Sequence, residues 1–118
     1  MVIKVIKDFQ QLMELILHRI NITRDTTDGC ITIDGRRVCD TAEHTPKMLK
    51  PGRYTLTRSK LYLMAGNGVY TLRKPAVIVG VHRCRGLVIN SRLTYHRIHE
   101  RLRKAFARKK EVVLVVEP

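Results

Sequence analysis

The sequence predicts an α+β domain: a mostly antiparallel, barrel-like β-sheet, one long C-terminal helix and a short N-terminal helix. Three observations carry that prediction. Apolar residues alternate through much of the chain, turn-forming residues separate the alternating runs, and near the C-terminus the spacing becomes helical before a last run of Val and Leu. With 118 residues and 44% apolar content, the chain has the size of one domain with one core and needs neither metals nor disulfides to bury it.

The elements follow in order. Val2, Val5, Ile6, Phe9, Leu12 and Met13 lie near helical spacing and predict the short N-terminal helix, although Val2 to Ile6 also suits a strand. Leu15, Leu17, Ile20 and Ile22 alternate onto one face, and Arg24 to Gly29 reads as the polar turn after them. Cys30 to Ile33 is the second arm. Asp34-Gly35 then supplies the positive φ of a tight turn, and Arg36 to Thr41 returns as the next strand. Pro46 and Pro51 offer no amide donor, so His44 to Gly52 is expected as a surface loop.

Beyond the loop, Arg53 to Arg58 alternates Tyr54 and Leu56 with polar residues, and Leu61 to Met64 is a short apolar run ended by Ala65-Gly66-Asn67-Gly68. Tyr70 to Arg73 and Ala76 to Val81 read as two more strands, the second apolar on both faces and therefore central. Asn90 or Ser91 is expected to cap a helix reaching about Arg108. Its apolar stripe is Tyr95, Ile98, Leu102, Ala105 and Phe106, and Arg97, Arg101, Lys104 and Arg108 line another face. Glu111 to Glu117 closes the sequence as a strand. There is no internal repeat and no low-complexity linker.

Charge is the sharpest functional signal. The formal net charge is +13, and Arg83 to Lys110 holds ten of the 23 Lys and Arg residues with Glu100 as its only carboxylate. Such a concentration attracts polyanions and raises their encounter rate, so the expected partner is an anionic polymer, nucleic acid or cell-wall polymer. Lys109 and Lys110 are partly explained by the helix dipole. The stripe Arg97, Arg101, Lys104 and Arg108, with Arg83 and Arg85, is the candidate anion-binding set. Base readout is not expected, because the chain has no Trp and only two Phe.

Cys30, Cys39 and Cys84 form neither an even framework nor a metal-site pair, which favours a reducing compartment and hence the cytoplasm. Met1 to Ile20 mixes charged residues with apolar ones and offers neither a signal peptide nor a membrane span. His96 and His99 have a spacing that can hold a metal, but Arg97, Arg101 and Arg103 would repel a cation, so neither metal nor cofactor is predicted. Cys30 and Cys39 are expected as packing residues. Asp40, Thr41 and Glu43 are expected in a capped turn at a strand end, and Gly66 to Gly68 in a loop needing positive φ.

The block Thr32-Ile33-Asp34-Gly35-Arg36-Arg37-Val38-Cys39-Asp40-Thr41-Ala42-Glu43, followed by Pro51-Gly52-Arg53-Tyr54, resembles the opening of an uncharacterised family of small β-rich proteins from phages and mobile elements. It is the family numbered 5675 among the domains of unknown function. The closing block Val88-Ile89-Asn90-Ser91-Arg92-Leu93-Thr94-Tyr95, with its helix and the Val112 to Val116 strand, is similar to the same family's end. The resemblance covers roughly Met13 to Glu117. It implies an N-terminal extension over 1–12 and a single β-rich domain over 13–118.

Between these blocks the family carries a His-Ala-Gly-Asn stretch and a Gly-Cys pair, an arrangement that resembles the cysteine transpeptidases of peptidoglycan, where imidazole raises the thiolate fraction. Here Met64 precedes Ala65-Gly66-Asn67, and Pro75-Ala76 stands where Gly-Cys is expected. A thioether takes no proton and an alanine attacks no carbonyl, so that chemistry is absent. The leading expectation is a non-catalytic accessory or binding protein of phage or mobile-element type. One alternative is a cysteine-dependent enzyme acting on cell-wall peptides through Cys84 and His82, since His82-Arg83-Cys84 faintly resembles the transpeptidase signature. The resemblance itself assigns Val81 to Gly86 to a hairpin turn. The other alternative is an oligomerising structural component with Met1 to Leu12 as the contact segment.

Overall fold

The computed structural model describes residues 11–66, 68–69 and 75–118. Among the described residues, eight strands and one α-helix follow in the order β1 (Leu12–Ile22), β2 (Thr26–Ile33), β3 (Arg36–His44), β4 (Gly52–Thr55), β5 (Leu63–Met64), β6 (Val77–Cys84), β7 (Leu87–Ile89), α1 (Ser91–Ala107) and β8 (Glu111–Val116), with a 3-10 turn at Thr45–Lys47. The sheet runs β4-β8-β1-β2-β3-β6-β5 and curls into a half-barrel, with β7 paired to β6 outside that path. Only β1 with β8 and β5 with β6 are parallel.

The curl faces α1. Leu15, Leu17, Ile31, Ile33, Val77, Val79, Val112 and Leu114 form one apolar cluster with Ile98, Leu102 and Ala105 of the helix, so the period-2 faces of the strands meet the predicted helical stripe. A smaller cluster of Ala42, Val69, Ala76, Ile78 and Val88 joins β3, β6 and β7. Because Val77 and Val79 serve the first cluster and Ile78 the second, β6 is apolar on both faces, as its sequence predicts.

Asp34 and Gly35 take φ of 50° and 88° in the β2–β3 hairpin, as predicted. Other expectations are corrected. Leu12 and Met13 lie in β1, opposite Glu111 and Val112, and not in a helix; the remainder of that expected helix lies outside the described residues, as does the Tyr70 to Arg73 strand. Thr26 to Gly29 belong to buried β2, leaving only the residues between β1 and β2 to turn. The Arg53 to Arg58 strand is shorter, spanning Gly52–Thr55.

Ile20 and Ile22 do not join the core; they are 66% and 55% exposed. A bulge between Arg19 and Asn21 breaks the alternation there. Arg19 instead turns to the fully buried Glu43, with Nε–Oε1 at 3.0 Å and a second bond at 2.8 Å, and donates a third to the Leu49 carbonyl at 2.6 Å. Asp40, Thr41 and Glu43 thus lie within β3 and not in a capped turn.

Two contacts set where α1 begins. Asn90 takes φ 53° and its side chain makes no cap bond, so neither predicted residue caps by the ordinary route. The Ser91 hydroxyl instead donates to the Val79 carbonyl at 2.5 Å and accepts from the Gly66 amide at 2.9 Å, tying the helix to β6. Gly80 permits β7 to cross β6 closely, since a Cβ there would stand 2.8 Å from the Ile89 carbonyl oxygen.

Candidate anion-binding site

Arg97, Arg101, Lys104 and Arg108 are spaced by four, three and four residues, which sets them in one row about 16 Å long on a helix rising about 1.5 Å per residue. All four are exposed, beside the buried stripe of Ile98, Leu102 and Ala105. The row therefore borders the seam between helix and sheet.

That seam is a groove. β6 pairs with β3 only at Asp40–Gly80, Thr41–Val79 and Ala42–Ile78, then leaves it to pair with β7, and a notch opens where they part. The notch is a cavity of about 500 Å³ lined by Arg37, Cys39, Asp40, Val81, Thr94, Arg97, Ile98 and Arg101 among others. A smaller cavity of about 140 Å³ continues along the helix past Arg101, lined by Met13, Lys104, Ala105, Arg108 and Lys110. Arg101 borders both. Among the described residues, six cations thus face one groove with Asp40 as its only carboxylate.

The acids nearest the row are engaged by other arginines. Glu100, the helix's one carboxylate, accepts from Arg103 at 3.2 and 2.9 Å, and this bond holds its carboxyl below the usual range. Arg37 bonds Asp40. Partial burial works against the Asp40 charge, but the His82 amide at 2.8 Å and the Arg37 guanidinium outweigh it, so its carboxyl is also lowered. Among the described residues, Arg97, Arg101, Lys104 and Arg108 have no ion-pair partner.

Arg83 and Arg85 are exposed but line neither cavity. They sit on the β6–β7 hairpin, which Asp28 of β2 anchors by accepting from the Gly86 amide at 3.0 Å and lying 3.4 Å from His82 Nε2. The candidate set is thus two patches: four helix residues in the groove and two arginines on the hairpin. Val81 to Cys84 continue β6, so the hairpin turn is confined to Arg85-Gly86. Cys84 is exposed, and among the described residues no hydrogen bond joins it to His82. Cys39 is buried, which pushes its thiol up to about 12 and keeps it protonated.

His96 lines a cavity at the start of α1, while His99 packs beside Tyr95. Among the described residues no group of three or more His, Cys, Asp or Glu is placed to hold a metal, and no helix is long and apolar enough to cross a membrane.

The other flank of α1 differs. Leu49, Leu61, Tyr62, Leu63, Met64, Pro75, Ala76 and Tyr95 line a cleft of about 570 Å³, with Arg58, Ser59 and Lys60 completing the lining. Met64 and Ala76 are side by side in this cleft and in the second apolar cluster. Neither Arg37 in the groove nor Tyr62 of the cleft follows from local pattern, because each is brought to α1 by a segment distant from it in sequence.

The chain matches no protein-family model, and searches of curated proteins and of solved structures found nothing similar to it.

Proposed function

We propose that this is a non-catalytic binding protein of phage or mobile-element type that holds an anionic phosphodiester polymer along the α1 groove. The observation that carries the reading is the row Arg97, Arg101, Lys104 and Arg108, four cations without ion-pair partners among the described residues, joined by Arg37 and Lys110 around a groove whose described lining holds one carboxylate. Guanidinium groups present paired donors that match phosphate oxygens, so arginine-rich lining favours phosphate over isolated carboxylates. Nucleic acid is the leading partner, and teichoic acid is the cell-wall polymer of the same chemistry. Recognition is independent of sequence, since no aromatic ring lines the groove to stack on a base. The phage assignment rests on the family resemblance, in which Met64 and Ala76 replace the His and Cys.

A salt titration tests this. Labelled duplex DNA should bind with log affinity falling linearly with log salt, at a slope of about −4 to −5 if five or so phosphates are engaged. Arg101→Glu should flatten the slope and weaken binding. Affinity that does not change between low and moderate salt, or that Arg101→Glu leaves intact, would sink the proposal; tighter binding to teichoic acid than to DNA would move it to the cell wall.

A further inference from the structure

We propose that the cleft on the far flank of α1 is a second, separate site, which takes a flat aromatic ring carrying a phosphate: a mononucleotide. Its volume, about 570 Å³, falls within the range of small-ligand pockets. Leu49, Leu63, Met64 and Ala76 make an apolar floor, and Tyr62 and Tyr95 bring two rings to the walls. Among the described residues, the only charged ones in its lining are Arg58 and Lys60, neighbours of the same turn and both exposed. An apolar, ring-lined interior with cations at one edge is complementary to a ligand whose ring and anion are separate ends of one small molecule.

The ring wall is held in place. Tyr62 has φ 62°, a left-handed conformation costly to a side chain of this size, and its carbonyl accepts from the Val77 amide at 2.8 Å. Tyr54 packs on it at 5.1 Å between centroids, tilted by 59°, and Tyr54 Oη donates to the Lys50 carbonyl at 2.5 Å. Beneath them the Leu49 carbonyl is fixed by buried Arg19. Lys60 Nζ stands 5.3 Å from the Tyr62 centroid, a cation–π contact made by an exposed, flexible side chain. A base stacking on Tyr62 displaces that ammonium from the ring, and the released charge then meets the phosphate.

Selectivity among bases is expected to be low. Among the described residues, Ser59 and the tyrosine hydroxyls are the only uncharged polar side chains in the lining, too few to read a base edge fully. The site does not rest on the groove, because Arg58 and Lys60 line neither groove cavity.

Titration of the whole chain with AMP, adenosine, ribose 5-phosphate and hexyl phosphate, followed by amide chemical shifts, tests the proposal. AMP should perturb Lys60 to Met64 and Tyr95 and bind at least about tenfold more tightly than adenosine or ribose 5-phosphate. Tyr62→Leu should cost AMP about tenfold. Lys60→Glu, an exposed change that leaves the fold intact, should weaken AMP and leave adenosine unchanged. The double variant Arg97→Glu/Arg101→Glu should leave AMP binding as it is while abolishing duplex binding. Ribose 5-phosphate binding as tightly as AMP would reduce the site to bare charge, and hexyl phosphate doing so would remove the requirement for a ring. Shifts mapping to Arg97 and Arg101 would also overturn it. AMP bound through a dinucleotide but not free would overturn the mononucleotide assignment in favour of a strand.

Discussion

The two flanks of α1 are built from one helix and offer opposite surfaces. On the flank toward β3, six cations face a groove without an aromatic ring. On the flank toward the β4–β5 segment, tyrosines and aliphatic side chains form a cleft with two cations at its edge. The difference arises from what each part of the half-barrel brings to the helix. The first half of β3 lies beside the helix with Arg37 and Asp40, whereas the segment before β5 turns Tyr62 inward through a left-handed backbone. A polyanion needs many equivalent charges and little shape; a small ligand needs shape and few charges.

Breaking the support of one flank gives the largest expected effect. Glu43→Ala leaves buried Arg19 without its carboxylate, and removal of one member of a buried pair costs about 3–5 kcal/mol. Urea unfolding measures it. Arg19 also holds the Leu49 carbonyl in the cleft wall, so amide exchange in Glu43→Ala should rise at Leu49 and Tyr62 before it rises at Arg97 or Arg101. Uniform acceleration on both flanks would show that the two are one cooperative unit.

Next in size is a charge comparison. Arg97→Glu/Arg101→Glu should lower duplex affinity by about 100-fold at moderate salt, since each change removes a phosphate partner and adds a repulsive charge. Arg83→Glu/Arg85→Glu makes the same change in net charge on the hairpin, outside the groove, and should cost only a few-fold through long-range attraction. Equal losses would mean that net charge alone drives binding and that the groove has no special standing.

How much of this was legible in the sequence follows from the range of each interaction. The Asp34-Gly35 turn, the apolar stripe of α1 and the Val-rich β8 are local patterns and all three are found. The row Arg97, Arg101, Lys104 and Arg108 was equally legible, because helical period fixes it. Arg83 and Arg85 were joined to that row by nearness in sequence, yet Asp28, a residue of β2, holds their hairpin elsewhere. Arg37 reaches the groove through strand pairing, Lys110 through the turn that closes α1, where its amide donates to the Ala105 carbonyl at 2.9 Å, and Tyr62 reaches the cleft through a backbone conformation that no alternation announces. Ile20 misled for a simpler reason: it lies three residues from Leu17, and a period of two sets it on the opposite face of the strand.

A smaller effect distinguishes the groove by pH. Asp40 has its carboxyl lowered in the fold, so its contribution to stability is present above its ordinary titration range and is lost as pH falls through the lowered value. The same protonation removes the groove's only carboxylate. Duplex affinity should therefore rise a few-fold on acidification while thermal stability falls, and Asp40→Asn should show the higher affinity already at neutral pH with its acid response removed. Asp34→Asn, in the β2–β3 turn, should show no such affinity change.

The smallest expected effect sharpens the separation most directly. Glu100 and Arg103 are surface partners, exposed and three residues apart, so Glu100→Gln should leave thermal stability within error. It frees Arg103, which lines a small cavity with Arg58 and Phe106 on the cleft side of the helix. Arg58 already lies over the Phe106 ring, 5.6 Å from its centroid, so the released guanidinium adds like charge beside a rim residue of the cleft. AMP affinity should rise by up to about twofold at low salt, and duplex affinity should rise by less, because the row lies across the helix from Arg103. A larger gain for duplex than for AMP would place Arg103 in the groove's reach and dissolve the division between the two flanks.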